Sequence, residues 1–441
     1  MKTIEHTNGN AGGLRDFYLL WGTQSLSQLG SATTSFALTL WLYERTGSAL
    51  STALLTICTY APYVLTSIFA GALTDRLDKK HTMLACDALA AACTVVILAL
   101  YKTSLLDTWH LYVINAVSGL MNTVQQPASE VAYTLVVPKD HYQRTGGLQS
   151  LSRSIISIGN PLIAAAVYGM AGLSAVIMVD LASFAIAFLT LAFLIEIPTP
   201  EHTGEPDERL LDLAREGLRY LKDSPLVLNV ILFMAGVNLV ASAFDATLPA
   251  LVIPRAGNAV LGIVTSCSGV AMVVGSIVAT LMGSPKDRVR VIYTTMLVSL
   301  GIENFVLAFT QDPLWWCAGQ VVGWVLVPIM STNLNVIMRN SIPVELQGRV
   351  YASRNTLQFF TIPVGLAAGG FLVDAVAEPF MAAQGAGSLP VLLFGSGKGS
   401  GAALVMFVLG LAGTLFCLVS GGRLKRYSYI EGEGDGTVAE A

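Results

Sequence analysis

The sequence predicts an all-α integral membrane protein with twelve transmembrane helices and both termini in the cytoplasm. Three observations support this prediction: an apolar composition, regularly spaced apolar stretches and an uneven distribution of basic residues. Of the 441 residues, 54% are hydrophobic and only 12% are charged, whereas a soluble domain has about 25% charged residues. Because so few charges cannot cover a water-exposed surface, lipid must surround much of the chain.

Twelve apolar stretches are long enough to cross a bilayer. A hydrocarbon core about 30 Å thick requires about 20 apolar residues in a helix. The spans must be helical because lipid offers no hydrogen-bond partner to free backbone groups. The stretch from about Phe17 is too long for a signal peptide, so we interpret it as the first span. The predicted spans cover approximately residues 17–43, 49–74, 82–101, 109–136, 145–168, 172–196, 225–253, 259–283, 289–310, 314–338, 351–376 and 401–421.

Basic residues are concentrated on one side of the membrane if the spans are drawn in this way. Lysine and arginine accumulate in the cytoplasmic loops of membrane proteins, so this asymmetry predicts that both termini are cytoplasmic. It also supports the number of spans, because the loss of one span would disrupt the alternation. Of the 25 lysines and arginines, the exceptions are Arg45, Lys102, Arg255 and Lys398 in the opposite loops and Arg153 within a span.

A long polar connector divides the chain into two parts. We expect a six-helix bundle at 14–197, a cytoplasmic linker at 198–224 and a second six-helix bundle at 225–426. Leucines at helical spacing between Leu210 and Leu221 predict an amphipathic surface helix in the second half of the linker. The tails, 1–13 and 427–441, are polar and rich in glycine, so we expect them to be disordered.

Two short motifs occur once in each half of the chain. One reads G-x-x-x-D-R followed by basic residues, and it precedes the third span of each half. The other reads P-x-[DE]-x-x-x-R, and it follows the fourth span of each half. Matched motifs at matched places predict duplicated halves related by a pseudo-two-fold axis along the membrane normal. The motifs cover Gly71–Arg76 and Gly283–Arg288, then Pro138–Arg144 and Pro343–Arg349.

These motifs resemble those of a known family. The stretch from Gly71 to Lys80 is similar to the loop 2–3 signature of the major facilitator superfamily. The resemblance extends over about residues 14–425 and implies a secondary active transporter that works by alternating access. Other segments resemble the macrolide-efflux and enterobactin-exporter branch, the drug–proton antiporter-3 group. They are the run from Val327 to Tyr351 that includes Asn333 and Asn335, and Asp180-x-x-Ser183-Phe184.

The resemblance implies a cytoplasmic gate at the repeated motifs. Short charged turns can pair across the two halves in one state and separate in the other, although the same basic residues also determine topology. The antiporter signature of the fifth span departs from the family pattern, since Asn160 replaces a glycine and Ala164–Ala165 replace a glycine pair. The implied gate residues are Gly71, Asp75, Arg76, Arg144, Gly283, Asp287, Arg288 and Arg349.

Polar side chains recur at helical spacing on the first and fourth predicted spans of each half. Residues three or four apart share a helix face, and amides are costly against lipid, so these faces should contact protein or water. One interpretation is a substrate cavity, which the resemblance also implies for these spans; the other is hydrogen bonding between helices. The candidate cavity residues are Gln24, Gln28, Asn122, Gln125, Gln126, Asn238, Asn333 and Asn335.

Ionisable residues inside the predicted spans are candidates for proton coupling, because an embedded charge is costly unless it is paired or hydrated. Asp245 lies on the polar face of span seven with no obvious basic partner, which suits a proton carrier. Glu303, near the middle of span nine, and Glu130, in span four, are further candidates. Arg153 in span five lies at a depth similar to that of Glu130, so the two could instead form an ion pair.

Together these features predict a proton-coupled exporter of amphipathic small molecules, such as macrolide-like drugs or a siderophore. We expect it to act as a monomer in the cytoplasmic (inner) membrane, with substrate, protons and lipid as partners. An importer, a lysophospholipid flippase or a non-transporting sensor are the alternatives. No H-E-x-x-H, G-x-S-x-G or Walker motif occurs, so neither an enzyme nor a metal or cofactor is expected. No basic domain indicates a nucleic-acid partner.

Overall fold

Helices form all regular secondary structure in the residues that the computed structural model describes, namely 10–137, 141–197, 218–343 and 346–427. Within these ranges, only the backbone is described for residues 10–13, 67–76, 142–144, 347–349 and 352. A π-helical turn covers Leu372–Ala377. The helices are α1 Asn10–Thr46, α2 Ala49–Arg76, α3 Lys79–Lys102, α4 Thr108–Val136, α5 Tyr142–Phe193, α6 Pro225–Leu281, α7 Arg288–Phe309, α8 Pro313–Val325, α9 Val327–Ser341, α10 Gln347–Phe359, α11 Thr361–Phe371, α12 Glu378–Ala382, α13 Leu389–Phe394 and α14 Ser400–Leu424.

Eight helical segments of the described chain are long and apolar enough to cross a membrane, by length and composition. α8 and α9 together form one of these segments, and α10 to α12 contribute to another. Large apolar side chains are exposed along them, for example Met170, Phe193 and Leu281. Such exposure is costly in water but is expected where lipid tails are the solvent.

α5 and α6 each contain one glycine at which the backbone leaves the helical conformation. Gly172 has a φ of 74° and Gly257 a φ of 82°, a left-handed region that glycine occupies readily because it has no Cβ. Both glycines lie at the boundary between two predicted spans, spans five and six for Gly172 and spans seven and eight for Gly257. The apolar pattern alone therefore located both breaks to within a few residues.

The helices pack as two groups that touch along two seams. Before the linker, α1 packs on α5, and α2 and α3 pack on α4; after it, α7 packs on α14, and α6 packs on α8 and α11. The seams are formed by α5 with α6 and by α2 with α11. Along the first seam, Ser266 Oγ donates a hydrogen bond to the carbonyl oxygen of Ile158 at 2.8 Å. Most of the buried apolar side chains of the second group belong to one continuous core.

Several predicted boundaries differ from the structure. α1 begins at Asn10, so the last four residues of the predicted N-terminal tail are helical. The connector 377–400, predicted as a loop, contains α12 and α13, and each begins with a proline in its first turn, where the missing N–H costs nothing. Most of the predicted amphipathic helix between Leu210 and Leu221 is outside the described residues, although 218–223 are helical.

Candidate functional site

A cavity of about 320 Å³ lies between the two groups of helices. α1 and α2 contribute side chains from the first group, and α6, α8 and α11 contribute them from the second. Its volume is at the lower end of the range of small-molecule sites, roughly 300–1,000 Å³. The lining residues are Thr39, Thr52, Ala53, Thr56, Tyr60, Asn238, Ala241, Ser242, Asp245, Ala246, Pro249, Trp324, Ile362 and Leu366.

Asp245 places a carboxylate in this cavity. From Ser242 to Leu248 every residue is buried except Asp245, so its exposed surface faces the cavity that it lines. Among the described residues, none donates a hydrogen bond to this carboxylate or forms an ion pair with it. The carboxylate is therefore free to interact with a proton or with a cationic group that enters the cavity.

Trp324 connects the cavity to a second acidic residue. Trp324 lines the cavity, and its neighbour Gly323 packs against the carboxylate of Glu303, since a Cβ atom at Gly323 would lie 2.1 Å from Glu303 Oε2. Glu303 is only 5% exposed, and its Oε1 atom has no hydrogen-bond partner among the described residues. The charge of Asp245 also acts on Glu303. The structure thus brings together two of the three predicted coupling residues, with Trp324 in the wall between cavity and Glu303.

Gln24 and Gln125, predicted to line a cavity, instead bind Asp87. Gln24 Nε2 donates to Asp87 Oδ2 at 3.2 Å, and Gln125 Nε2 donates to the other carboxylate oxygen. Asp87 is buried, and a buried carboxylate needs such donors. The three side chains come from α3, α1 and α4, so they join three helices. For these two glutamines the structure favours hydrogen bonding between helices, the alternative interpretation of the polar faces.

The other predicted cavity residues are divided between several environments. Asn238 lines the cavity, and its amide also donates to the carbonyl oxygen of Gln358 at 3.0 Å. Asn333 is buried and accepts a hydrogen bond from Arg288 Nη1 at 3.1 Å, so it contacts a predicted gate residue and does not line this cavity. Four other predicted cavity residues are exposed and do not line this cavity, so their role stays a prediction: Gln28, Asn122, Gln126 and Asn335.

Glu130 and Arg153 do not form the predicted ion pair in this structure. Both side chains are exposed, and the ion pairs among the described residues do not include them. Glu130 is also not among the residues that line the cavity. Its role in proton coupling stays a prediction that the cavity does not support.

The two G-x-x-x-D-R motifs occupy different positions relative to the helices that follow them. In the second half, Asp287 is the N-cap of α7 and accepts a hydrogen bond from the backbone N–H of Arg290 at 2.9 Å. In the first half the N-cap of α3 is Asp78, three residues after Asp75. Gly283 is exposed. Gly71 and the side chains of Asp75, Arg76, Arg144 and Arg349 belong to the part of the chain whose side chains are not described.

Three threonines of the cavity were not identified from the sequence. Thr39, Thr52 and Thr56 line it, but their hydroxyls occur within apolar helices, where threonine is common and usually donates to a backbone carbonyl. Thr39 and Thr52 do so here, to Ser35 and Ala49. A signal was present, because Thr52, Thr56 and Tyr60 are spaced four residues apart and so share one face of α2.

A cavity between two groups of apolar helices, with an acidic side chain and hydroxyls in its wall, is typical of a membrane transporter. The sequence profile of the Major Facilitator Superfamily matches residues 20–366. The chain therefore belongs to the Major Facilitator Superfamily. It is a multi-pass protein of the cell membrane and a transporter rather than an enzyme.

Curated relatives include efflux proteins. The chain is 24% identical to Macrolide efflux protein A of Streptococcus pyogenes over 372 residues, covering 82% of this chain and 90% of that protein. It is 25% identical to the Multidrug efflux pump Tap of Mycolicibacterium fortuitum over 385 residues, covering 83% and 90%. The resemblance to the macrolide-efflux branch that the sequence motifs indicated is thus confirmed at the level of named relatives.

Solved structures show the same fold at low sequence identity. The nucleoside transporter NupG superposes with a TM-score of 0.70 at 11% identity, covering 92% of this chain and 98% of that one. A bacterial homologue of the lysosomal transporter Spinster, in an inward-facing conformation, superposes with a TM-score of 0.69 at 12% identity, covering 96% and 100%. These similarities support the fold and carry no information about the substrate.

Proposed function

We propose that this protein exports amphipathic small molecules by alternating access, driven by protons that enter the cell. The observation that carries the proposal is the carboxylate of Asp245, which faces the cavity with no basic partner among the described residues. Relatives named as macrolide and multidrug efflux proteins support the direction of transport and the type of substrate. Both the proton as the coupling ion and the amphipathic nature of the substrate belong to this proposal.

The topology we propose has twelve spans, with both termini in the cytoplasm and two six-helix halves at 14–197 and 225–426. α5 has 52 residues and α6 has 57, so at 1.5 Å per residue each would be about 75 Å or longer if straight. A hydrocarbon core is only about 30 Å thick, so each would cross twice and reverse at Gly172 or Gly257. α1 and α4, which are longer than a single crossing requires, complete the twelve spans.

The cavity wall favours an organic cation as the part of the substrate that is recognised. Asp245 provides a negative charge, and the rings of Tyr60 and Trp324 provide π faces in the same cavity. Aromatic faces attract ammonium groups, the more so where water is excluded. A proton and a cationic group would compete for the Asp245 carboxylate. If the carboxylate holds either the proton or the cation but not both, inward movement of protons is coupled directly to outward movement of substrate.

The proposal is tested with the purified protein in proteoliposomes that contain a fluorescent amphipathic cation, alongside a macrolide. We expect an imposed pH gradient to accelerate movement of both compounds against their concentration gradient, and a protonophore to abolish the acceleration. Liposomes without protein are the control for leakage. If both compounds cross at the same rate with and without the gradient, the coupling is wrong; if neither crosses, the class of substrate is wrong.

Trp324 is expected to contribute to affinity through its aromatic face. Trp324→Ala should raise the KM for the cationic substrate about two- to thirtyfold, since a cation–π contact contributes roughly 0.5–2 kcal/mol. Trp324→Phe, which keeps an aromatic face, should raise it less. The matched control is Trp315→Ala, because Trp315 is on the same helix but exposed and outside the cavity lining. Equal KM values for Trp324→Ala and the wild type would remove Trp324 from the binding site.

A further inference from the structure

The carboxylate of Asp374 joins the two groups of helices at one end of the molecule. Asp374 lies in the π-helical turn Leu372–Ala377, in the second group. Its Oδ2 atom accepts hydrogen bonds from Ser48 Oγ at 2.6 Å and from the backbone N–H of Leu50 at 2.8 Å. Its Oδ1 atom accepts one from the backbone N–H of Ala49 at 3.0 Å. All three donors are at the N-terminus of α2, in the first group.

The first N–H groups of a helix have no partner within the helix, and they carry the positive end of its dipole. A side chain next to the helix in sequence usually supplies the acceptor. α2 has such a residue, since Ser48 Oγ accepts a hydrogen bond from the N–H of Ser51 at 3.0 Å. Asp374 satisfies two further N–H groups of the same turn. α2 is therefore capped twice, once by its own residue and once by the opposite group of helices.

A close approach of the backbones makes the second cap possible. A Cβ atom added at Gly370 of α11 would lie 2.6 Å from the Cα atom of Leu50 and 2.9 Å from its backbone nitrogen, so glycine is required there. A second contact between the groups lies nearby, where Asn258 Nδ2 donates to Glu44 Oε1 at 2.6 Å. Glu44 also accepts a hydrogen bond from Tyr168 within its own group.

We propose that Asp374 is a positioning residue of the transport cycle, which holds the outer end of the cavity closed by capping α2 from the opposite half. The proposal rests on the proposed function and topology, which place the start of α2 on the outer side. Opening to the outside separates α2 from α11 and removes this carboxylate from the α2 N-terminus. α2 keeps its Ser48 cap in the open state, so its first turn stays helical and the contact can form again.

The test measures how readily the cavity is reached from outside. A single cysteine is introduced by Thr39→Cys in a background without the six native cysteines, and whole cells are labelled with a membrane-impermeant maleimide. Adding Asp374→Asn should increase the labelling rate about threefold or more, because the amide retains one acceptor but loses the charge that stabilises the closed end. Asp374→Ala should increase it further.

The matched control is Asp312→Asn. Asp312 is also an N-cap at this end of the molecule, but it accepts from the backbone N–H of Leu314 in its own helix, α8, at 2.9 Å. It should leave the labelling rate unchanged. A rate for Asp374→Asn equal to that of the background, in protein of normal expression and melting temperature, would overturn the proposal. The labelling requires neither substrate nor pH gradient, so its outcome is independent of whether the protein exports the compounds tested.

Discussion

Asp245→Asn is expected to abolish proton-coupled export while the protein remains folded. Asparagine has nearly the same size as aspartate, and no described residue bonds to the Asp245 carboxylate, so the substitution breaks no contact that supports the fold. It does remove the group that can bind and release a proton in the cavity. We expect the uphill transport rate to fall by more than about tenfold, because an ionisable residue kept at membrane depth despite its cost is by default a functional one.

Two measurements on the reconstituted variant separate coupling from binding. Uphill transport driven by a pH gradient should disappear, and substrate addition should no longer move protons into a pH-sensitive dye. Downhill movement of substrate should persist at saturating concentration with a raised KM, because the cavity keeps its shape and its aromatic faces but loses the charge that attracts the cation. The matched control is Glu196→Gln, which neutralises an exposed carboxylate outside the helices and should transport like the wild type. Gradient-driven transport by Asp245→Asn at the wild-type rate would assign proton coupling to another acid, with Glu303 the next candidate.

Asp87→Ala is expected to destabilise the first group of helices strongly. The substitution leaves the amides of the buried Gln24 and the half-buried Gln125 without their acceptor, and an unsatisfied buried donor costs roughly 1–3 kcal/mol. Replacing the carboxylate by a methyl group also leaves an unfilled volume between three helices. We expect the melting temperature in detergent to fall by several degrees, as followed by size-exclusion chromatography after heating.

Conservative variants test the cause of that loss. Asp87→Asn keeps one acceptor oxygen and the volume, so it should be less damaging than Asp87→Ala. Adding Gln24→Leu and Gln125→Leu to Asp87→Ala removes the unsatisfied donors and should recover part of the stability. If the triple variant is no more stable than Asp87→Ala, the loss arises from packing and not from unsatisfied amides.

The sequence predicted features that depend on a single helix. Apolar runs of about 20 residues located the helices, and gaps in them located the breaks at Gly172 and Gly257, because the cost of placing polar groups in lipid is large and local. The same logic identified Asp245 and Asn238, which both line the cavity. For these residues the polar spacing on one helix was sufficient.

Features that depend on contacts between two helices could not be predicted from the sequence alone. An amide on a polar face can serve a cavity or another helix, and only the position of Asp87 assigns Gln24 and Gln125 to the second role. Asp374 was within a predicted span and was not singled out, because the backbone N–H groups that it binds belong to residues far away in the chain. The two copies of the G-x-x-x-D-R motif also differ in a way that the motif does not show. The aspartate of the second copy, Asp287, caps α7, whereas α3 is capped by Asp78 and not by Asp75 of the first copy.

The connections between helices are short at the end of the molecule where Asp374 lies. They therefore offer few epitopes to a protein that binds this transporter on intact cells. Only Gly47 and Ser48 separate α1 from α2, and the breaks at Gly172 and Gly257 occur within continuous helices. In the topology proposed above, the stretch 383–399, which contains α13, then offers the largest epitope of the described chain on the outer face. Only the five residues of α12 separate this stretch from the Asp374 turn, so we expect a nanobody directed against it to select one conformation of the transporter and to inhibit it without entering the cavity.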